Sequence, residues 1–180
     1  MARLPDPTSQ LDPKALQLYE AMAAKRGRID GMYATMFHHP ALVEHVSNLG
    51  TYLRFGATLP GDIRELAILI ASRRLAVPYE WVKHTIPAKA AGLSDAVLEA
   101  IREEKDLSAF SPLYPKISSV VTSVLAEQNL PAPLQTELET ALGIKGVLEL
   151  VILVGFYRMI AAFIQAFDVP LPADARFNSF

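Results

Sequence analysis

Three observations predict an all-α fold for this chain. Apolar residues recur at spacings of three and four through most segments. No segment alternates apolar and polar residues as a half-buried strand would. Prolines and small polar residues stand where the apolar-periodic runs begin.

Asp12-Pro13 supplies an N-cap followed by proline at the first helical position, and the first helix is expected to run to about Gly27. Pro40 opens the next, with Leu42, Val46, Leu49 and Leu53 on one face and a stop near Gly56. Asp62 followed by Glu65 forms an aspartate version of a capping box ahead of the apolar run Leu66 to Ala71. That helix is apolar on all sides and is expected to be buried on all sides. Pro78 starts a helix carrying Glu80, Trp81 and His84 and ending around Gly92, with a kink expected at Pro87. Ser94-Asp95 begins a short helix through Ile101, and Ile117, Val120, Val121, Val124 and Leu125 mark another. Pro133 to Gly143 reads as a short helix, and a long one follows from Gly146.

The segment Gly146 to Phe167 is long and apolar enough to be compared with a membrane span, but Glu149, Arg158 and Gln165 interrupt it. A buried helix of a bundle or an oligomer is the simpler expectation. There is also a faint internal likeness. Arg64-Glu65-Leu66-Ala67-Ile68-Leu69-Ile70 resembles Leu148-Glu149-Leu150-Val151-Ile152-Leu153-Val154, and Arg74 matches Arg158 at the same offset. Two similar halves and the chance likeness of two buried helices both account for it. A single domain over residues 1–180 is expected from the length.

With 51% apolar and 20% charged residues the chain is a folded domain, and its net charge of −2 gives no reason to expect a nucleic-acid partner. It has no cysteine, which excludes disulfides, thiolate metal sites and thiol catalysis. The opening Met1-Ala2-Arg3-Leu4-Pro5-Asp6-Pro7 lacks the apolar run of a signal peptide, so a cytoplasmic location is expected.

Ionisable groups beside apolar segments are costly unless paired or used, which singles out Glu65, Glu80 and His84. Glu80 and His84, four residues apart, share a helix face, where the carboxylate can fix the imidazole tautomer and raise its proton affinity. His84 is then the general acid or base, with one glutamate orienting it and the other exchanging protons with substrate. Each residue has a purely structural role open to it as well: Glu65 as a cap, Glu80 as a complement to the helix dipole, His84 as a satisfied polar group. Tyr79 and Trp81 flank Glu80, where core packing is the simpler role and stacking on a substrate the functional one. With Tyr33, Arg73 and His38 of the Phe37-His38-His39-Pro40 cluster, itself open to a structural or a rim role, they are the candidates for substrate contact. Arg64, Arg73 and Lys83 are candidate partners for a substrate anion. A lone histidine in the set makes zinc a poor fit, and no metal is expected. The chain carries neither a glycine-rich phosphate loop nor a Gly-x-Ser-x-Gly elbow.

The run from Arg64-Glu65-Leu66 through Tyr79-Glu80-Trp81-Val82-Lys83-His84 to Ala88 and Ala91-Gly92-Leu93-Ser94 resembles the carboxymuconolactone decarboxylase family, which also contains the alkylhydroperoxidase AhpD. The likeness continues into Pro40-Ala41-Leu42, Leu59-Pro60, Glu149-Leu150-Val151 and Gly155-Phe156-Tyr157, and so covers most of the chain. The peroxidase branch has a Cys-x-x-Cys pair just before the histidine and a glutamate one helix earlier. Here the cysteine positions are Val77 and Glu80, while His84 and Glu65 match the histidine and the earlier glutamate. The resemblance therefore implies an AhpD-like helical bundle that retains the proton relay without the redox chemistry. It also implies a homotrimer or homohexamer, no cofactor, and a small-molecule substrate. In the decarboxylase branch a γ-carboxy lactone loses carbon dioxide and the resulting dienolate is reprotonated, work for Glu65, Glu80 and His84. The Tyr-Glu-Trp version of the motif departs from the decarboxylase pattern. The expected function is accordingly a cofactor-independent lyase acting on a small carboxylactone or carbonyl acid. Lactone or enol isomerisation or hydrolysis by the same residues, and a non-catalytic oligomeric binding protein, are the alternatives.

Overall fold

The computed structural model describes residues 3–27, 29 and 31–171, which contain eight α-helices and no strand. Helix α1 (Pro13–Arg26) begins where the Asp12 carboxylate accepts the Ala15 amide at 2.8 Å. It ends at Gly27, whose φ of 77° suits the residue without a Cβ. Helix α2 (Gly31–Met36) is a short element that sequence periodicity did not signal. Helix α3 (Pro40–Thr51) is capped by His39, whose Nδ1 accepts the Leu42 amide at 3.2 Å. The chain then widens into a π-helical turn, Tyr52–Gly56, closed by an Ala57 N–H donating to the Tyr52 carbonyl at 2.8 Å.

Helix α4 (Gly61–Arg74) starts one residue before Asp62, with Pro60 at its N-cap and no side chain capping it. The expected capping box is not formed. Proline fixes the backbone that leads into the helix, and Glu65 turns inward to a different partner. Helix α5 (Pro78–Ala90) runs through Pro87, which therefore does not end it. Helix α6 (Asp95–Arg102) is capped by Ser94, whose Oγ accepts the Val97 amide at 3.3 Å, and α7 spans Tyr114–Leu125. Helix α8 (Ala132–Ala166) is broken at Gly143 (φ 71°, ψ 164°), so the short and long helices expected from sequence are two arms of one element.

Helix α4 is the centre of the fold. Every residue from Glu65 to Ser72 is buried, and α5, α6, α7 and α8 pack around it. A buried leucine or isoleucine contributes about 1.5–3 kcal/mol over an exposed one, so this all-round apolar sequence is what holds the helix in the middle. The two apolar runs that look alike in sequence are therefore packing partners, α4 against α8. The long arm of α8 is apolar enough to cross a membrane by composition, and 56% of its most apolar window is buried inside the protein.

Each central helix also buries a glutamate. Glu149 on α8 accepts the Tyr52 hydroxyl, the Thr58 amide and the Thr58 hydroxyl at 2.8 Å each, and the Leu59 amide at 3.1 Å. Burial pushes its carboxyl up, but those hydrogen bonds outweigh burial and hold it below the ordinary carboxylate range. One carboxylate thus fixes both ends of the stretch from the π-helical turn to α4.

Candidate functional site

Helix α4 directs Glu65 at α5, and the four-residue spacing on α5 stacks Glu80 beneath His84. His84 Nδ1 lies 2.7 Å from Glu65 Oε2, and Arg64 Nε–H donates to the other carboxylate oxygen at 3.1 Å. A carboxylate accepts only, so Nδ1 carries the proton and Nε2 faces the other way. There it meets the Tyr157 hydroxyl of α8 at 2.9 Å and Glu80 Oε2 at 3.4 Å. The His84 and Tyr157 rings meet edge to face at 86°.

All four members are nearly sealed from solvent: Glu65 is 1% exposed, His84 4%, and Glu80 and Tyr157 5% each. Burial opposes the charged form of His84, but the hydrogen bonds and charges of Glu65 and Glu80 win and its proton affinity is raised. Burial likewise pushes Glu65 up, yet His84 and then Arg64 hold its carboxyl below the ordinary value. Tyr157 is pushed far up by burial, with Glu80 adding and Arg54 opposing, so its hydroxyl stays neutral. The arrangement is a hydrogen-bonded chain, Arg64–Glu65–His84–Tyr157, with Glu80 beside the last imidazole nitrogen.

The chain ends at a cavity of about 250 Å³. Helix α5 contributes Tyr79, Glu80, Lys83 and His84, α8 contributes Phe156, Tyr157 and Ile160, and Met32, Tyr33 and Arg54 are among the other lining residues. Tyr79 is set by a close approach: its hydroxyl accepts the Met32 amide at 3.3 Å, and a Cβ on Gly31 would stand 2.1 Å from the same oxygen. Only glycine fits there.

Of the residues singled out by sequence, Glu65, Glu80 and His84 come together, and Tyr79 and Tyr33 line the same cavity. Three others lie elsewhere. Trp81 is 0% exposed in the core, with the Arg102 guanidinium 5.8 Å from its ring, because consecutive residues such as Glu80 and Trp81 do not share a face of α5. Arg73, at the far end of α4, donates from Nε to the Arg102 carbonyl at 2.8 Å and pairs with Glu104. His38 Nε2 bonds the Pro5 carbonyl oxygen at 2.9 Å on the outside of the molecule. Arg64 is taken by Glu65 rather than left for a substrate anion. Conversely, sequence reasoning gave no role to Tyr157 or Arg54. Tyr157 stood inside the family-like Gly155-Phe156-Tyr157 segment, and that was its sole signal. Among the described residues no cluster of three histidine, aspartate or glutamate side chains is arranged to hold a metal ion.

Comparison with solved structures places this architecture. A peroxidase-related protein from Silicibacter sp. TM1040 superposes with a TM-score of 0.76 at 13% identity, covering 100% of both chains. The debrominase Bmp8 does so at 0.69 and 14% identity, covering 97% of this chain and 93% of its own. Its complex with 2,3,4-tribromopyrrole gives 0.67 at 15% identity, over 91% and 88% of the two chains. An Agrobacterium tumefaciens protein proposed as an antioxidant-defence AhpD gives 0.67 at 15% identity, over 77% of this chain and 96% of that one. The chain has an AhpD-like fold. No protein-family model and no curated protein matches the sequence. At these identities the AhpD-like likeness is one of architecture.

Proposed function

We propose that this AhpD-like chain is a cofactor-independent lyase of the decarboxylase type, moving protons with Glu65, His84 and Tyr157 on a small anionic carboxylactone or carbonyl acid. The observation that carries the proposal is the buried hydrogen-bonded chain Glu65–His84–Tyr157 ending at a cavity. Buried charge of this kind is expensive as mere structure and is characteristic of sites that handle protons. A binding protein that had lost its chemistry has no need to keep Glu65 within 2.7 Å of His84 at a cavity wall. The debrominase neighbour has been crystallised with a cysteine replaced by alanine. This chain has no cysteine, so a thiol route is closed to it.

In the proposed reaction the bond between the substrate carboxylate and its neighbouring carbon breaks, carbon dioxide leaves, and the electron pair remains as a dienolate. The apolar walls of Phe156 and Ile160 favour a carboxylate losing its charge over one keeping it. His84 in its protonated form, which Glu65 and Glu80 favour, gives its Nε2 proton to the Tyr157 oxygen as the Tyr157 hydroxyl proton passes to the dienolate carbon. The net change is one carboxylate and one proton converted to carbon dioxide and a C–H bond. Glu65 holds the imidazole in place and balances its charge throughout, and solvent restores the proton to His84.

The protein is further proposed to be cytoplasmic and to assemble as a homotrimer or homohexamer. The test is carbon dioxide release from a panel of γ-carboxylactones. General acid catalysis of this kind is worth on the order of 10²–10⁴-fold, so His84→Gln and Tyr157→Phe should each lower kcat by at least about 10²-fold. Full activity in both variants overturns the relay. Solvent-deuterium incorporation without carbon dioxide release moves the assignment to an isomerase using the same residues.

A further inference from the structure

Two cations line the cavity, and they are not equivalent. Lys83 Nζ lies 5.9 Å from the centre of the Tyr79 ring. Arg54 comes from the π-helical turn, and its Nε is buried with no hydrogen-bond acceptor among the described residues. A charged N–H inside a protein without an acceptor carries a desolvation cost. Such an atom calls for an explanation, and Arg54 is one of the residues that line the cavity.

The π-helical turn decides where Arg54 points. Arg54 lines the cavity while its guanidinium carbon stands 5.0 Å from the centre of the ring of Phe55, which is 64% exposed, and the turn itself is pinned at Tyr52, Thr58 and Leu59 by Glu149. Widened helical turns of this kind recur at functional sites because they re-aim side chains. Arg54 also acts on the Tyr157 hydroxyl, opposing the upward pull of burial and Glu80. Arg54, with its Nε lacking an acceptor, and the end of the proton chain therefore border one space.

We infer that Arg54 is the anion receptor of this cavity, its Nε–H and an adjacent Nη–H taking both oxygens of a carboxylate on a small planar ring. The inference rests on the function proposed above and names its substrate class. A guanidinium edge matches a carboxylate in this two-point manner, which an ammonium cannot reproduce. Tyr33, Tyr79, Phe156 and Tyr157 make the lining aromatic, which suits a ring. At about 30 Å³ per water, 250 Å³ is space for about eight waters, enough for one ring with short substituents. The group held by Arg54 is one that keeps its charge through the reaction. A cation on the departing carboxylate would stabilise the ground state and slow its loss. The substrate is thus an acid with a second, persistent anionic group.

Benzoate and its neutral isostere benzamide separate charge from shape. Binding of each to the intact protein is followed by titration calorimetry and by the nitrogen–proton resonance of the Arg54 side chain. Benzoate should bind saturably and shift the Nε–H signal, and benzamide should bind at least tenfold more weakly. Arg54→Met should weaken benzoate tenfold or more while leaving benzamide unchanged, and Arg54→Lys should recover only part of the loss. Equal binding of the two probes, unchanged benzoate affinity in Arg54→Met, or no saturable benzoate binding at tens of millimolar overturns the inference. The resonance shift needs no variant, so it stands even where a substitution disturbs folding. Because binding is read without turnover, an Arg54 failure leaves the proton relay standing. A silent relay with intact benzoate binding does the reverse.

Discussion

At the scale of single residues, the Glu65–His84 pair makes stability depend on pH in a defined way. Glu65 has its carboxyl held below the ordinary 4.5, so its contribution is fully present above that value and is lost as pH falls through the lowered folded pKa. His84 has its imidazole held above the ordinary 6.5, so its contribution is fully present below that value and is lost as pH rises through the raised folded pKa. Both contributions are complete only between 4.5 and 6.5. The thermal midpoint, followed by calorimetry against pH, should therefore be highest in that interval and fall on either side. His84→Gln should flatten the alkaline fall and leave an acid one, because Glu149 also loses stabilisation as pH drops through its own lowered pKa. An unchanged alkaline limb in His84→Gln would show that the pair is not the source.

Among the elements, the stretch from Tyr52 to Leu59 matters most, and it depends on one carboxylate. Replacing Glu149 by alanine leaves two amides and two hydroxyls without their acceptor, a loss of about 2–4 kcal/mol in denaturant unfolding. Glu149→Gln keeps the shape and should cost less, and equal stability of all three proteins would remove Glu149 from this role. This region also shows where the sequence stops being legible. The centrality of α4 was readable because Leu66 to Ala71 is apolar on every face. The meeting of Glu80 and His84 was readable because it is local, one turn of one helix. Glu65 against His84 crosses two helices of a short hairpin and was readable as a set, although its capping role was wrong. Tyr157 lies 73 residues from His84, and no periodicity connects them. Arg54 is less legible still. An α-helical reading of Pro40 to Gly56 places side chains by a uniform period, and the π-helical turn changes that period just before it matters.

For the whole molecule, α8 presents two unlike faces. One packs on α4, and the other exposes Ile144, Leu148, Ile152 and Met159 at 45–66% of their surface, spaced along one side. Apolar rows of this length are unusual on the surface of a lone soluble chain and are the material of subunit interfaces. Sedimentation equilibrium should therefore return a multiple of 19.7 kDa, three- or sixfold, and Leu148→Glu with Ile152→Glu should lower it toward the monomer. A 19.7 kDa particle at all concentrations would remove the proposed assembly.

The placement of both Glu149 and Tyr157 on α8 has a consequence for how the protein is made. During synthesis the chain emerges from its amino end, and domains fold as their parts become available. Glu65 and His84 are translated well before the helix that completes their surroundings. Until α8 has left the ribosome, the relay has no Tyr157, the cavity has no Phe156 or Ile160, and nothing holds the turn that aims Arg54. Earlier fragments therefore hold two buried-type charges with no pocket around them. Competence for binding and for chemistry arrives together, with α8.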